Sequence, residues 1–334
     1  MDVVANIVIP FIKSVIIVVG LLVGFAYTTW FERKVAARFT IRYGPNRAGP
    51  FGLLQPVADA VKAIFKEEII PSTADKVLYV IAPGLSMATA LLAFAVVPLG
   101  RPIHLFGREI ALHLADVNVG VLYLMAVAGL ASYGVILGGW SSNNKYSLLG
   151  ALRTAAQMIS YELPMGLALV SVLLLVGDLS LVKIVEYQGT LPLIVLQPVA
   201  FIVYLICSFA EAGRTPFDLP ETENELVSGY ATEYGGIKFP LFFMAEYIHM
   251  ITASAIVTTL FLGGWQGPLT DLHPLIPPFW FFVKTVFMIF LFVWVRSSLP
   301  RVRYDKLMKF CWKFLAPLAL VNLSVTAIVV ALLA

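Results

Sequence analysis

Eight stretches of this chain run apolar for the length of a membrane crossing: Ile9–Phe31, Val77–Leu99, Val117–Gly139, Ala155–Val176, Leu191–Ala212, Pro240–Gly264, Phe279–Ser298 and Phe310–Leu333. A helix rises about 1.5 Å per residue, so about 20 apolar residues traverse the ~30 Å hydrocarbon core of a bilayer. A water-soluble core has no use for eight such segments. Composition agrees, with 60% hydrophobic and 13% charged residues and a mean hydropathy of +0.88. A soluble domain carries about 25% charged residues, and a surface this apolar would aggregate in water. The expected fold class is therefore an all-α integral membrane protein, a bundle of about eight transmembrane helices forming one domain over residues 1–334. The first run is too long for the apolar core of a cleavable signal and no A-x-A site follows it, so it reads as a retained span.

Basic residues orient the bundle. Eighteen lysines and arginines fall in the first, third, fifth and seventh connections or, for Arg296 and Lys313, at the span ends bordering the seventh, and the even connections hold only Arg101, Arg108 and Lys183. The positive-inside bias predicts cytoplasmic odd connections and both termini on the outer, periplasmic side. Two cytoplasmic segments stand out. The basic loop 32–76 opens with the turn-forming run Gly44-Pro45-Asn46-Arg47 and with Gly49, Pro50 and Gly52. From Leu53 to Glu67 it then takes helical periodicity. Leu54, Val57, Val61, Ile64 and Phe65 share one face, and Asp59, Lys62 and Lys66 the other, which predicts a helix lying in the membrane interface. The loop 211–239 is acidic instead. Glu211, Asp218, Glu221, Glu223, Glu225 and Glu233 stand against Arg214 and Lys238. Asp218 and Glu221 have capping-box spacing, and a short helix from there would put Asp218, Glu221 and Glu225 on one side. The surrounding Pro, Phe, Leu and Tyr residues suit a loop that packs towards the bundle better than a solvated acidic face.

An ionisable group at the bilayer centre costs about 2.5–3.5 kcal/mol on insertion scales, which makes each a functional candidate. Glu162 falls in the fourth span, Glu211 ends the fifth, Glu246 lies in the sixth with His249 three residues on, and Lys284 lies in the seventh. Lys13 is close enough to the end of the first span to snorkel. For any single acid the plain alternative is a buried ion pair that fixes helix packing, with Lys284 as the cation for Glu162 or Glu246. Three acids against one lysine leave a surplus that must be solvated or share protons, as a proton relay requires. Other chemistry is excluded. Cys207 and Cys311 form no C-x-x-C pair, so their thiols alone can hold neither a zinc nor an iron–sulfur centre. His249 is the single histidine in a span, too few for a bis-histidine haem, and no phosphate-binding glycine loop is present. The expectation is no metal, nucleotide or redox centre bound by this chain alone, and no nucleic-acid partner.

Several runs resemble a known family. Glu32-Arg33-Lys34-Val35, the segment Tyr43 to Pro56 (YGPNRAGPFGLLQP), Trp140 to Tyr146 (WSSNNKY), Arg214 to Glu221 (RTPFDLPE), Tyr234 to Phe239 (YGGIKF) and Arg301 to Asp305 (RVRYD) are similar to the H-type membrane subunits of proton-pumping NADH:quinone oxidoreductase, respiratory complex I. The mitochondrial counterpart in that family is the first NADH dehydrogenase subunit. The resemblance runs from about Phe31 to the C-terminus. It implies a subunit of the cell (inner) membrane at the heel of the complex, lining the membrane side of the quinone chamber. Quinone would be the substrate, with iron–sulfur clusters and flavin carried by partner subunits. The implied partners are the quinone-module subunits of the peripheral arm, small membrane subunits adjoining the pump modules, and lipid. Carried onto this sequence, the proton-coupling acids would be Glu162, Glu211, Glu221, Glu223, Glu225, Glu233 and Glu246. Arg33, Arg42, Arg47, Phe51, Phe65, Phe217 and Asp218 would lie at the quinone channel or docking surface, with Lys284, His249 and Arg214 as candidate charge partners. Some relatives carry an acid in the third span near Gly129, a position without a carboxyl here. The nearest rival is the ion-coupling membrane anchor of an energy-converting hydrogenase, which the intact Gly44–Pro56 run argues against. A self-contained antiporter predicts an inverted repeat, which the sequence lacks.

Overall fold

The computed structural model describes residues 8–105, 108–219, 226–270 and 272–333. Among the described residues, seven helices are long and apolar enough to span a bilayer. They are α1 (Ile9–Phe39), α3 (Lys76–Phe94), α4 (Gly120–Ser141), α5 (Lys145–Val176), α9 (Lys238–Phe261), α10 (Ile276–Ser298), and the continuous span Tyr304–Leu333. That last span comprises α11 (Tyr304–Phe310), a π-helical turn at Cys311–Leu315, and α12 (Ala316–Leu333). Shorter helices are α2 (Gln55–Phe65), α6 (Leu181–Tyr187), α7 (Leu193–Leu196) and α8 (Pro198–Glu211). A two-stranded antiparallel hairpin, β1 (Ile103–Leu105) with β2 (Arg108–Ile110), pairs His104 with Glu109. It sits in the second connection, where an all-helical reading expects no strand.

Helix starts follow local chemistry. Asp75 caps α3, its Oδ1 accepting from the amides of Val77 and Leu78 at 3.1 and 3.3 Å. Asn144 caps α5 by accepting from Tyr146 N at 2.9 Å, and Gly177, with φ of +74°, ends it. Packing between spans uses small residues, as expected where lipid supplies no hydrophobic drive between helices. The α3–α4 seam is the clearest case: a methyl on Gly134 would fall 2.1 Å from Ser86 Oγ. By contrast α1 offers Phe11, Ile12, Ile16 and Val19 outward, and α12 offers Val321, Val325 and Ile328, apolar faces suited to lipid or a neighbouring chain.

The fifth predicted span, Leu191–Ala212, is not one helix. Its backbone breaks at Gln197, between α7 and α8. Pro198 lacks an amide to continue the ladder, and the 14 residues of α8 reach only about 21 Å. Side-chain amides satisfy the interruption. Gln197 Nε2 donates to Thr326 Oγ1 at 2.8 Å, and its Oε1 accepts from Asn322 Nδ2 at 3.1 Å. Gln188 Oε1 accepts from the amides of Leu193 and Gly263 while its Nε2 donates to Thr259 O. Irregular backbone survives at membrane depth because protein surrounds it.

The amphipathic segment is a helix, α2, with no buried residue. Leu54, Val57, Val61, Ile64 and Phe65 all face outward, Phe65 at 84% exposure. The polar side is tied to α1: Arg33 Nη1 donates to Asp59 Oδ2 at 2.7 Å, and Gln55 braces the other carboxylate oxygen. The turn before it needs glycine at position 52, where φ is +77° and a Cβ would fall 2.2 Å from Pro45 O.

Candidate functional site

A buried arginine organises a cluster of charged side chains. Arg214 follows α8 and is held by its own loop, its amide donating to Phe209 O and its carbonyl accepting from Phe217 N. Gln157 of α5 donates to the carbonyls of Ala210 and Phe217, pinning both sides of the turn. The guanidinium, 3% exposed, lies 3.5 Å from Glu32 Oε2 on α1 and 2.9 Å from Glu246 Oε1 on α9. Its Cζ sits 3.9 Å from the centre of the Tyr247 ring. Glu32 also accepts from Arg296 Nη1 of α10. Burial works to lower the Arg214 pKa, but Glu246, Tyr247 and Glu32 outweigh it and hold the pKa above the ordinary arginine value, so the cation is permanent. Among the described residues its Nη2 has no hydrogen-bond partner.

Beside this cluster lies a cavity of about 70 Å³ bordered by Glu211, Glu246, His249, Ser86, Thr154 and Tyr230. It has room for about two waters at the ~30 Å³ each occupies in the liquid. The Ser86 hydroxyl has no protein partner among the described residues. Glu211 also borders a second, smaller void on the side of Met125 and Ala128, and lies within electrostatic reach of Glu162. A methyl on Gly129 would fall 3.6 Å from Glu162 Oε1, so that carboxyl faces the bare backbone of α4. Arg214, Glu246, Glu211 and Glu162 are thus neighbours in that order, the first two in contact, the middle two on one cavity and the last two within electrostatic reach.

The remaining candidates are distributed around this group. Glu233 stands apart, accepting from Asn144 Nδ2 at 2.5 Å, while its carbonyl takes the Tyr79 hydroxyl. The adjacent Tyr234 stacks on Tyr79 at 4.1 Å and shares a hydrogen bond with Ser141. Burial pushes its phenol up to about 12, which keeps it protonated. Asp218 pairs with Arg301 at 2.8 Å, and Phe217 is buried against Tyr161. Arg42 and Arg47 are exposed in the first connection alongside Ile41, Tyr43 and Phe51. Glu221, Glu223 and Glu225, and the short helix expected there, lie outside the described residues.

One expectation is corrected. Lys284 does not neutralise Glu162 or Glu246. Its ammonium donates to the backbone carbonyls of Leu262, Gly264 and Gln266 at 2.7, 3.2 and 2.5 Å. The lysine caps the C-terminal end of α9, where orphan carbonyls and the helix dipole favour a cation. The cation that meets Glu246 is Arg214. Sequence reasoning also passes over Glu32 and Arg296 as site residues. Both sit at the ends of apolar runs, where charge is cheap, and only their convergence on Arg214 reveals them.

The sequence profile of the NADH dehydrogenase family matches residues 12–327. The chain is 54% identical over 324 residues to NADH-quinone oxidoreductase subunit 8 of Thermus thermophilus, covering 96% of this chain and 87% of that protein. It is 53% identical over 314 residues to the second H-type subunit of NADH-quinone oxidoreductase in Syntrophobacter fumaroxidans, covering 94% and 93%. The H-type subunit of the same enzyme in Protochlamydia amoebophila matches at 53% over 302 residues, with 90% and 91% covered. With seven long apolar helices, a family match across nearly the whole length and relatives above half identity, the chain belongs to the NADH dehydrogenase family of multi-pass membrane proteins, as an H-type subunit of NADH-quinone oxidoreductase.

Proposed function

We propose that this subunit lines the membrane side of a quinone channel and couples quinone reduction to proton movement through Glu246, Glu211 and Glu162. The observation that carries the reading is the polar cavity in which Glu246, Glu211 and His249 meet, with Glu246 bound on its other side to the permanent cation Arg214. Part-buried acids beside a space large enough for water can pass protons. An acid already tied to a cation changes its proton affinity whenever that cation's other contacts change. Arg214 is shared between Glu246 and Glu32, and Glu32 with Arg296, so a change near Glu32 reaches Glu246 electrostatically.

The quinone tail enters from lipid along the outward apolar face of α2. Arg33, through Asp59, sets that helix against α1. The exposed Ile41, Arg42, Tyr43, Arg47 and Phe51 form the docking surface for the peripheral-arm subunits, which supply the flavin and iron–sulfur clusters. Small membrane subunits cover the side where Glu162 emerges, and the acidic connection 211–239 faces the cytoplasm, with both termini periplasmic.

The test is Glu246→Gln in the intact complex, reconstituted into liposomes. The expected result is inhibitor-sensitive NADH:quinone reduction with proton translocation per NADH reduced several-fold. Unchanged reduction together with unchanged translocation would remove Glu246 from the relay.

A further inference from the structure

The fourth span lacks one helical hydrogen bond, and an adjacent span supplies its replacement. Pro164 lies inside α5 and has no amide hydrogen, so the carbonyl of Ser160, four residues earlier, loses its helical donor. Across the interface the buried thiol of Cys311 donates to that same Ser160 carbonyl at 3.1 Å. Cys311 opens the π-helical turn Cys311–Leu315 that interrupts the last span. A second bond runs the other way, from Tyr161 Oη of α5 to Leu307 O of α11, at 3.3 Å. The two spans are therefore clasped at Ser160 and Tyr161, the residues immediately before Glu162. A thiol is a weak donor, but an empty site here would leave a buried carbonyl unsatisfied.

We propose that Cys311 is a positioning residue for Glu162: its bond to Ser160 replaces the helical hydrogen bond lost at Pro164 and so aims the Glu162 carboxyl at the bare backbone of Gly129. The proposal rests on the proton-coupling role assigned to Glu162 above. A free Ser160 carbonyl would let α5 relax about the proline and turn that carboxyl away from Gly129. The thiol itself meets neither substrate nor proton. Its effect is on the geometry of the relay, so it should be felt in coupling and not in quinone reduction.

The experiment compares intact complexes carrying Cys311→Ala, Cys311→Ser, Pro164→Ala, the Pro164→Ala/Cys311→Ala pair, and Glu162→Gln. Inhibitor-sensitive NADH:quinone reduction and protons translocated per NADH are measured in proteoliposomes. Cys311→Ala is expected to keep its reductase rate and lose about threefold in protons per NADH, well inside the ~10²-fold that a 1 Å misplacement can cost. Cys311→Ser keeps a donor and restores the ratio. Pro164→Ala returns an amide hydrogen to Ser160, so adding Cys311→Ala to it changes the ratio little. A poorly assembling Cys311→Ala leaves the decision to the pair, in which recovered assembly and ratio support the proposal and failure of both overturns it. An unchanged ratio in Cys311→Ala, or no rescue by serine, also overturns it. Glu162→Gln separates the two layers. If it lowers the ratio while Cys311→Ala does not, positioning alone fails. If it has no effect, the role of Glu162 fails and the proposal with it.

Discussion

At the residue scale, two cations have opposite duties. Lys284 lies inside a span and Arg214 in the connection after one; hydropathy points to the lysine as counter-ion, while the family resemblance adds Arg214 and His249 as candidates. The structure gives that duty to Arg214, whose planar fork reaches Glu32 and Glu246 together, whereas the compact ammonium of Lys284 spends its three donors on carbonyls. Lys284→Met is therefore expected to leave protons per NADH unchanged and to lower the midpoint of thermal inactivation of the purified complex. Carbonyls left unsatisfied cost about 1–3 kcal/mol. A fall in the proton ratio at unchanged thermal midpoint would instead make Lys284 a proton carrier. The acids Glu162, Glu211 and Glu246 are legible in the sequence from their expense in a membrane. The cation of Glu246 enters only through the family resemblance, as one of three candidates, because Arg214 lies in a connection where basic residues are ordinary and only tertiary convergence buries it.

At the element scale, what is readable depends on whether a local rule meets a competing contact. The helix from Leu53 to Glu67 is legible because its periodicity faces nothing in the chain that could override it, and α2 matches with all five predicted apolar residues outward. The span over 191–212 reads as continuous because hydropathy averages over the Pro192 and Pro198 signals. Its break is held by Gln188, Gln197 and Asn322, whose amides lie in separate parts of the sequence. The outward face of α2 also sets a prediction. Ile64 is 63% exposed, so Ile64→Asp disturbs no internal packing and assembly should be normal. It removes about 1 kcal/mol or more of contact with lipid or a quinone tail. The expected result is a KM about fivefold higher for a long-tailed quinone with a tail-free quinone unaffected, a difference worth ~1 kcal/mol. An equal KM for both quinones in mutant and parent would make α2 a packing helix.

At the scale of the whole molecule, the proposed topology counts eight passages: the seven long apolar helices among the described residues and a broken crossing through α7 and α8. An even number returns both termini to one side. In that topology the charge asymmetry predicts the sides, with eighteen basic residues in or bordering the odd connections against three in the even ones. The proposed topology would put Glu32, Arg214, Arg296 and the α2 helix at one end of the bundle, because each follows an odd-numbered crossing or begins the next. The prediction is readable with an impermeant maleimide, since both native thiols, Cys207 and Cys311, are buried and give no background. Lys145→Cys and Glu186→Cys replace exposed residues in the third and fourth connections. In right-side-out vesicles the reagent should label position 186 and spare position 145, and in inverted vesicles the pattern should reverse. Labelling of both positions from the same face would mean that the segment 145–186 does not cross the membrane between them, and the eight-pass count would fall. Labelling in the opposite sense would keep the count and invert the subunit. The acidic connection would then face the periplasm, on the wrong side for a peripheral arm that draws electrons from cytoplasmic NADH.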